Sequence, residues 1–368
     1  MPILQKSSSR RRRRRFDNVL AVLLLAAVIG AVLWFWWHQK HPQKPETRRP
    51  VILAPAVIAP PVPPIEKLKS NPIVVAPPSP ADFPRPVRNV FEAQVALARR
   101  VISPGSLDSA IGSQTRAAIA AFQRSQKLPA SGTLDTNTRA LLTLEVPVLT
   151  DYLVTTNDLA RLQPLGKTWL EKSQQSALDY ETILELVAER AHSHPLQVQK
   201  LNPEVSWTNL AAGSVLKIPD VNYPEPYGKA SFIVIHLSGK FLEAFDAQTN
   251  LLVHFPCSIA AKVEKRPVGE LHVSVIAPNP NYTFDPAVFP ESPEAQAIGH
   301  KLILPSGPNN PVGVAWIGLD KPGYGMHGTP GPEQVGRTES HGCFRLANWD
   351  AEYLLKLVWV GMPVEVVP

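Results

Sequence analysis

Cysteine is nearly absent from this 368-residue chain: there are two, Cys257 and Cys343. That excludes a disulfide framework of the kind that staples small secreted domains. One bridge could still form in an oxidising compartment. A folded basic face is lacking as well. The net charge is +6, but the run Arg10 to Arg15 alone carries six positive charges, and the remainder is close to neutral. Nucleic-acid binding needs Lys and Arg spread over a folded surface, so no nucleic-acid partner is expected. Long apolar runs are equally scarce. There is one, Val19 to Trp37, VLAVLLLAAVIGAVLWFWW.

That run is uncharged and about long enough to span a bilayer as a helix. It ends in Trp34, Trp36 and Trp37, an aromatic belt. The basic tail 1–18 before it outweighs the basic residues after it, so the positive-inside rule puts the tail in the cytoplasm. The exit WWHQKHP offers no small-residue cleavage site. The expectation is a single-pass transmembrane helix at 19–37 in the inner (cytoplasmic) membrane, with all that follows outside the cytoplasm. Proline is abundant: 39 residues, roughly twice the usual share. Many crowd into 38–88, which reads as an extended, semi-rigid linker.

Two small units follow. In 89–144, Phe91, Val95 and Ala98 fall on one helical face, and Ile111, Ala118, Ile119 and Phe122 recur at helical spacing. The turn LPASGTLD precedes a third helix that Asp135 can cap. The stretch SLDSAIGSQTRAAIAAFQRSQKLPASGTLDTNT resembles the peptidoglycan-binding type 1 module, which implies a three-helix wall-binding domain. In 178–220, ETILELVAERAHSHPLQVQKLNPEVSWTNLAAGSVLKIP resembles a LysM module, a binder of N-acetylglucosamine polymers, although its usual opening strand is hard to see.

From about residue 229 the texture turns to strands: SFIVIHLSGKFLEAFDA as two strands around a Ser-Gly turn, then LLVHFPCSIA, GELHVSVIA, VGVAWIGL and MPVEVVP. Helical pattern is concentrated in DAEYLLKLV. GYGMHGT puts His327 between glycines, and SHGCFRLANWDAEYL groups Ser340, His341, Gly342, Cys343 and Arg345. A thiol becomes a strong nucleophile when a nearby imidazole takes its proton. Gly342 allows a substrate close to the backbone, turn N–H groups can hold an oxyanion, and Arg345 suits a carboxylate. The same residue types also fit a buried apolar thiol with structural histidines, or three zinc ligands. These alternatives remain open on composition and spacing. His236, His254, His272 and His300 have no motif around them and read as structural or surface residues, and Cys257 reads as core.

His327, then Ser340-His341-Gly342-Cys343-Phe344-Arg345, flanked by NPNYTF and GPNNPVG, resembles the L,D-transpeptidase (YkuD) catalytic domain over 229–368. The resemblance implies a cysteine-nucleophile acyltransferase without metal or other cofactor. Cys343 is then the nucleophile and His327 the base, oriented by the carbonyl of Gly328. His341 and Gly342 shape the site, N–H groups near Gly342 and Cys343 form the oxyanion hole, and Ser340 supports the two histidines. Arg345, Tyr324 and Asn348 are the expected substrate contacts. Phe344 replaces a more usual aliphatic, and Gly328 stands where some members have Ser. A Cys257–Cys343 bridge would remove the nucleophile and is expected to be absent. The implied partners are peptidoglycan stem peptides and glycan strands. The fold class is therefore multidomain: transmembrane helix, Pro-rich linker, small all-α wall-binding domain, small α+β LysM-like unit, and a mostly-β catalytic domain. Water, a lipoprotein or a free D-amino acid could replace the amine acceptor, and a non-catalytic wall anchor is the rival outside enzymes.

Overall fold

A computed structural model describes residues 82–340 and 342–368. The expected transmembrane segment at 19–37, the basic tail, most of the linker and His341 lie outside the described residues. Among the described residues no helix is long and apolar enough to cross a membrane.

The first unit is closed by a two-stranded clasp, β1 (Arg85–Pro86) against β2 (Thr143–Leu144). Between them run α1 (Val90–Ala98), α2 (Ser113–Ser125) and α3 (Thr136–Leu141). Each short helix starts where a side chain can satisfy an orphan N–H. Asn89 accepts from Glu92 N at 2.9 Å and Asp135 from Thr138 N at 2.8 Å. Leu97, Ala118, Ile119, Phe122, Leu142 and Leu144 make the core. Ile111 does not join them and is exposed. It precedes the N-cap Gly112, so the helical period does not apply to it. Phe91, Val95 and Ala98 do share a face, but that face meets Leu107, Val148, Val221 and Tyr223 in a second cluster. The LPASGTLD turn passes close over α2: Gly132 has φ +65°, and a Cβ there would sit 2.9 Å from the Arg116 carbonyl oxygen. Only glycine meets both demands cheaply.

The second unit is a β-strand, helices and a returning β-strand. β3 (Leu149–Leu153) pairs antiparallel with β4 (Val215–Pro219), so the opening strand lies well before residue 178, where the sequence reading began this unit. Between them come α4 (Thr156–Ala160), α5 (Trp169–Ser173), α6 (Ile183–Arg190) and α7 (Pro195–Leu201). Three of these helices start with reciprocal capping boxes: Thr155 with Asp158, Thr168 with Glu171, and Thr182 with Glu185. Leu186, Val187, Val198 and Leu216 fill the core. Asn202 ties the end of α7 to β4 by donating to the Lys217 carbonyl and accepting from its N–H, both at 2.8 Å.

The third unit holds β5 (Phe232–His236), β6 (Phe241–Phe245), β7 (Leu251–Pro256), β8 (Gly269–Pro278), β9 (Tyr282–Phe284), α8 (Pro293–Ile298), β10 (Leu302–Leu304), β11 (Ala315–Leu319), β12 (Gly325–His327), β13 (Phe344–Arg345), α9 (Asn348–Leu357) and β14 (Pro363–Val367). Eight strands form one sheet in the order β13-β12-β11-β8-β14-β5-β6-β7. The β14–β5 and β12–β13 pairs are parallel and the others antiparallel. Alternation places Ile233, Ile235, Leu242, Val364 and Val366 in one core with Ile317 and Met326, and α9 covers it through Ala351, Leu354 and Leu357. β9, α8 and β10 make a flap outside the sheet.

The three units are packed together. Val101 to Ser103 lies along β7, with Ser103 N donating to the His254 carbonyl at 2.8 Å and His254 N to that of Val101 at 3.1 Å. This covers an edge strand that would otherwise expose its backbone groups. Arg124 of α2 pairs with buried Glu243 of β6, which also meets His254 Nδ1 at 2.9 Å.

Candidate active site

β12 ends in His327, and β13 begins immediately after Cys343. Their parallel register sets Met326 beside Phe344 and His327 beside Arg345. Phe344 and Met326 point into the core. The alternate residues His327, Arg345 and Cys343 therefore share the other face, because successive side chains on a strand alternate. Two short strands thus bring a thiol and an imidazole to one surface.

His327 is 6% exposed. Its Nδ1 lies 2.6 Å from the Gly328 carbonyl oxygen. That oxygen only accepts, so Nδ1 carries the proton and Nε2 keeps the lone pair of a base. Trp316 of β11 stacks on the ring at 5.6 Å and 26°. Burial pushes the imidazole down to about 4, and the charge of Arg345 pushes the same way against the Gly328 hydrogen bond. The Cys343 thiol is pushed up to about 11 by burial, opposed by a backbone hydrogen bond from Gly325. It donates to the Gly323 carbonyl at 3.4 Å. Both shifts favour the uncharged forms, a thiol and a neutral imidazole.

Asn348, at the start of α9, braces this assembly. Its Oδ1 accepts from Thr329 N at 3.0 Å and Val314 N at 3.3 Å. Its Nδ2 donates to the Pro308 carbonyl at 3.2 Å and to Glu189 of α6 at 2.9 Å. Asn348 is 1% exposed with its amide fully engaged. The expected substrate contact is thus an internal strut. The same strut explains Gly328: a Cβ there would lie 2.2 Å from Asn348 Oδ1, so a serine could not stand in this chain without moving the strut.

Ser340, the expected support of both histidines, sits in the turn around Cys343. Its Oγ donates to the Cys343 carbonyl at 2.5 Å and accepts from Gly342 N at 3.2 Å, fixing the turn that presents the thiol. The Gly342 N–H expected in the oxyanion hole is engaged by that hydroxyl. Arg345 Nη2 donates to Thr338 Oγ1 at 3.1 Å and to the Glu339 carbonyl, while its Nε is buried with no hydrogen-bond partner among the described residues. Tyr324 is half-buried, close to Gly342 and beneath the Lys321 ammonium at 5.4 Å. Cys257 is wholly buried in the sheet core, its thiol pushed up to about 12, and both cysteines are free. Among the described residues no three His, Cys, Asp or Glu side chains are grouped as metal ligands.

Nothing in the local sequence marks Tyr282, Trp316 or Glu189. Burial raises the hydroxyl of Tyr282 on β9, and Cys343 adds to that. NPNYTF and VAWIGL were legible as a flanking block and a strand, but which of their side chains reach the site depends on flap and register.

Residues 230–366 match the YkuD family, described as the L,D-transpeptidase catalytic domain. The chain carries an L,D-transpeptidase catalytic domain. Residues 87–142 match a family described as "Putative peptidoglycan binding domain". Among curated relatives, "Putative L,D-transpeptidase YkuD" of Bacillus licheniformis is 26% identical over 169 residues, covering 45% of this chain and 82% of the relative. "Putative L,D-transpeptidase YqjB" of Bacillus subtilis is 36% identical over 103 residues, 27% of this chain and 49% of the relative. "Probable L,D-transpeptidase YbiS" of Escherichia coli is 28% identical over 173 residues, 46% of this chain and 55% of the relative. The chain thus spans about half the length of the latter two. It is an L,D-transpeptidase enzyme by this domain and its relatives.

Proposed function

We propose that the chain acylates its Cys343 with a peptidoglycan stem tetrapeptide and passes the acyl group to an amine on a neighbouring stem. His327 Nε2 takes the thiol proton as sulfur adds to the carbonyl between the L-centre and the terminal D-residue. The tetrahedral intermediate collapses, the D-amino acid leaves with that proton, and a thioester remains. The acceptor amine then attacks the thioester, gives up a proton through His327, and restores the thiol while a 3→3 amide forms. The partly exposed guanidinium of Arg345, in register with His327, supports a role in holding a stem carboxylate. The observation that carries the reading is the fixed Nδ1–H tautomer of His327, which leaves a basic Nε2 on the face shared with Cys343.

Purified protein incubated with tetrapeptide muropeptides should yield cross-linked dimers and free D-amino acid by mass spectrometry, and Cys343→Ala should yield neither. Tripeptide product alone would identify a carboxypeptidase. Intact-mass detection of a carbapenem adduct that disappears in Cys343→Ala tests the nucleophile separately.

The same proposal includes the rest of the chain. The unit from Leu149 to Pro219 is LysM-like, a reading supported by the helix pair α6 and α7 ahead of β4, with α4 and α5 as additional helices between antiparallel β3 and β4. Together with the 87–142 unit it binds wall glycan. Val19 to Trp37 anchors the protein in the cytoplasmic membrane with its enzyme outside. Pull-down on purified sacculi, and protease protection of the N-terminal tail in intact cells, test these two parts.

A further inference from the structure

Helix α6 belongs to the second unit, yet two of its carboxylates reach into the catalytic domain. Glu185 and Glu189 stand four residues apart, which puts them on one face of the helix. Each finds an asparagine amide. Asn309 Nδ2 donates to Glu185 and to the Asp179 carbonyl. Asn348 Nδ2 donates to Glu189 Oε2 at 2.9 Å, while Tyr180 OH donates to Glu189 Oε1 at 2.9 Å. Glu189 thus accepts from two donors on separate oxygens, which holds its carboxyl plane in one orientation.

The Asn348 amide hands that orientation on. With Nδ2 drawn toward Glu189, Oδ1 faces Thr329 N and Val314 N, and both bonds form. Val314 flanks Ala315, whose carbonyl accepts from Gly328 N at 3.1 Å. Thr329 follows Gly328, whose own carbonyl holds His327 Nδ1. The peptide that fixes the imidazole is therefore held by Asn348 through Thr329 N, and Asn348 also holds Val314 beside the Ala315 carbonyl that receives Gly328 N. A flipped Asn348 would turn its NH₂ toward two N–H donors and lose both bonds.

We propose that Glu189 is a positioning residue for the acyl-transfer reaction: by fixing the Asn348 amide it fixes the Gly328 carbonyl, and through it the ring of His327. The second unit is then a working part of the catalytic centre, whatever it binds. The inference rests on the reading of His327 as the base. Desolvation pushes the Glu189 carboxyl up to about 7, against the hydrogen bonds from Asn348 and Tyr180. Glu185, Tyr180 and Arg161 also face it.

The experiment compares the full chain with Glu189→Gln and Glu189→Ala in two assays. The first is single-turnover acylation by imipenem, read by intact mass, which needs the thiol and its base but no stem peptide. The second is steady-state turnover of tetrapeptide muropeptide. Glu189→Ala should acylate about tenfold more slowly per folded molecule, as a slightly misplaced base does, with kcat reduced and KM within about twofold. Glu189→Gln keeps one acceptor and should acylate about threefold more slowly than the parent, a partial recovery. Parental acylation rates in both variants, or a change confined to KM or to melting temperature, would overturn the proposal. If Glu189→Ala does not fold, the Gln variant decides alone: a rate equal to the parent's in both assays refutes it. A parent that is acylated by imipenem yet leaves tetrapeptide untouched would sink the functional reading while the comparison of variants still reports on Glu189.

Discussion

Opening the stacked face of His327 to water should restore much of its ordinary basicity. The imidazole is held at about 4 from a reference of 6.5, chiefly by burial. The difference is worth about 3.4 kcal/mol between the two protonation states. Trp316 covers the ring at 5.6 Å and is itself half-buried, so Trp316→Ala admits solvent to one face. The sign is fixed by the role. A base must be neutral to accept a proton, so acylation fails as pH falls through the folded value. In the parent, single-turnover acylation by imipenem should therefore stay level from pH 8 down to roughly 5 and fall only near 4. In Trp316→Ala the acid limb should move up by about one to two pH units, bounded by the 6.5 of a free imidazole. Arg345 still lowers the ring in that variant, so complete recovery is not expected. Acylation is read by intact mass across a pH series, with folding checked at each pH. A parental limb already near 6.5, or a limb unmoved by Trp316→Ala, would refute the argument that burial under Trp316 sets the base.

Asp350 is buried under the Tyr223 and Ser103 hydroxyls, and burial pushes its carboxyl up to about 7 from 3.8. A raised carboxyl favours folding only while protonated. Against Asp350→Asn, the parent should lose up to about 4 kcal/mol of relative stability as pH rises from about 4 to 7, measured by urea unfolding. Trp169 stacks on Phe284 at 4.5 Å and lies near Tyr282 and Phe289. Trp169→Ala should raise KM for stem peptide severalfold and speed amide exchange through residues 282–304, with little change at β5–β7. Phe122 is 2% exposed in the first core, so Phe122→Ala should cost about 3–5 kcal/mol in chemical denaturation.

The strands of the third unit were legible because half-buried strands alternate. SFIVIHLSGKFLEAF resolves into β5 and β6 around its Ser-Gly turn, and MPVEVVP into β14. α9 was legible for the complementary reason, its 3.6-residue period in DAEYLLKLV. Long-range features were not. β3 carries LTDYL, too short and too polar to announce a strand, and it exists because β4 is there to pair with it. The flap's β9 and β10 have three residues each and stand on Trp169 and Leu178 from another unit. At the site, Cys343, His327 and Gly328 stand in local motifs, and the β12–β13 register sets the first two on one face. Asn348 was misread because an asparagine beside a reactive motif looks like a ligand contact until its neighbours from residues 189, 308, 314 and 329 are known. The engagement of Gly342 N by Ser340 is equally invisible in one dimension, since it depends on how tightly the turn closes.

The strip from Val101 to Ser103, sewn onto β7 by two backbone hydrogen bonds, gives this enzyme a fixed gauge. A module tethered by slack chain would let the thiol sweep a volume around any grip point. Here the first unit is joined to the catalytic sheet along a strand edge as well as through the chain. Under the proposed function, with the first unit on wall glycan, that seam makes distance from the grip a selector of stem peptides ahead of their chemistry.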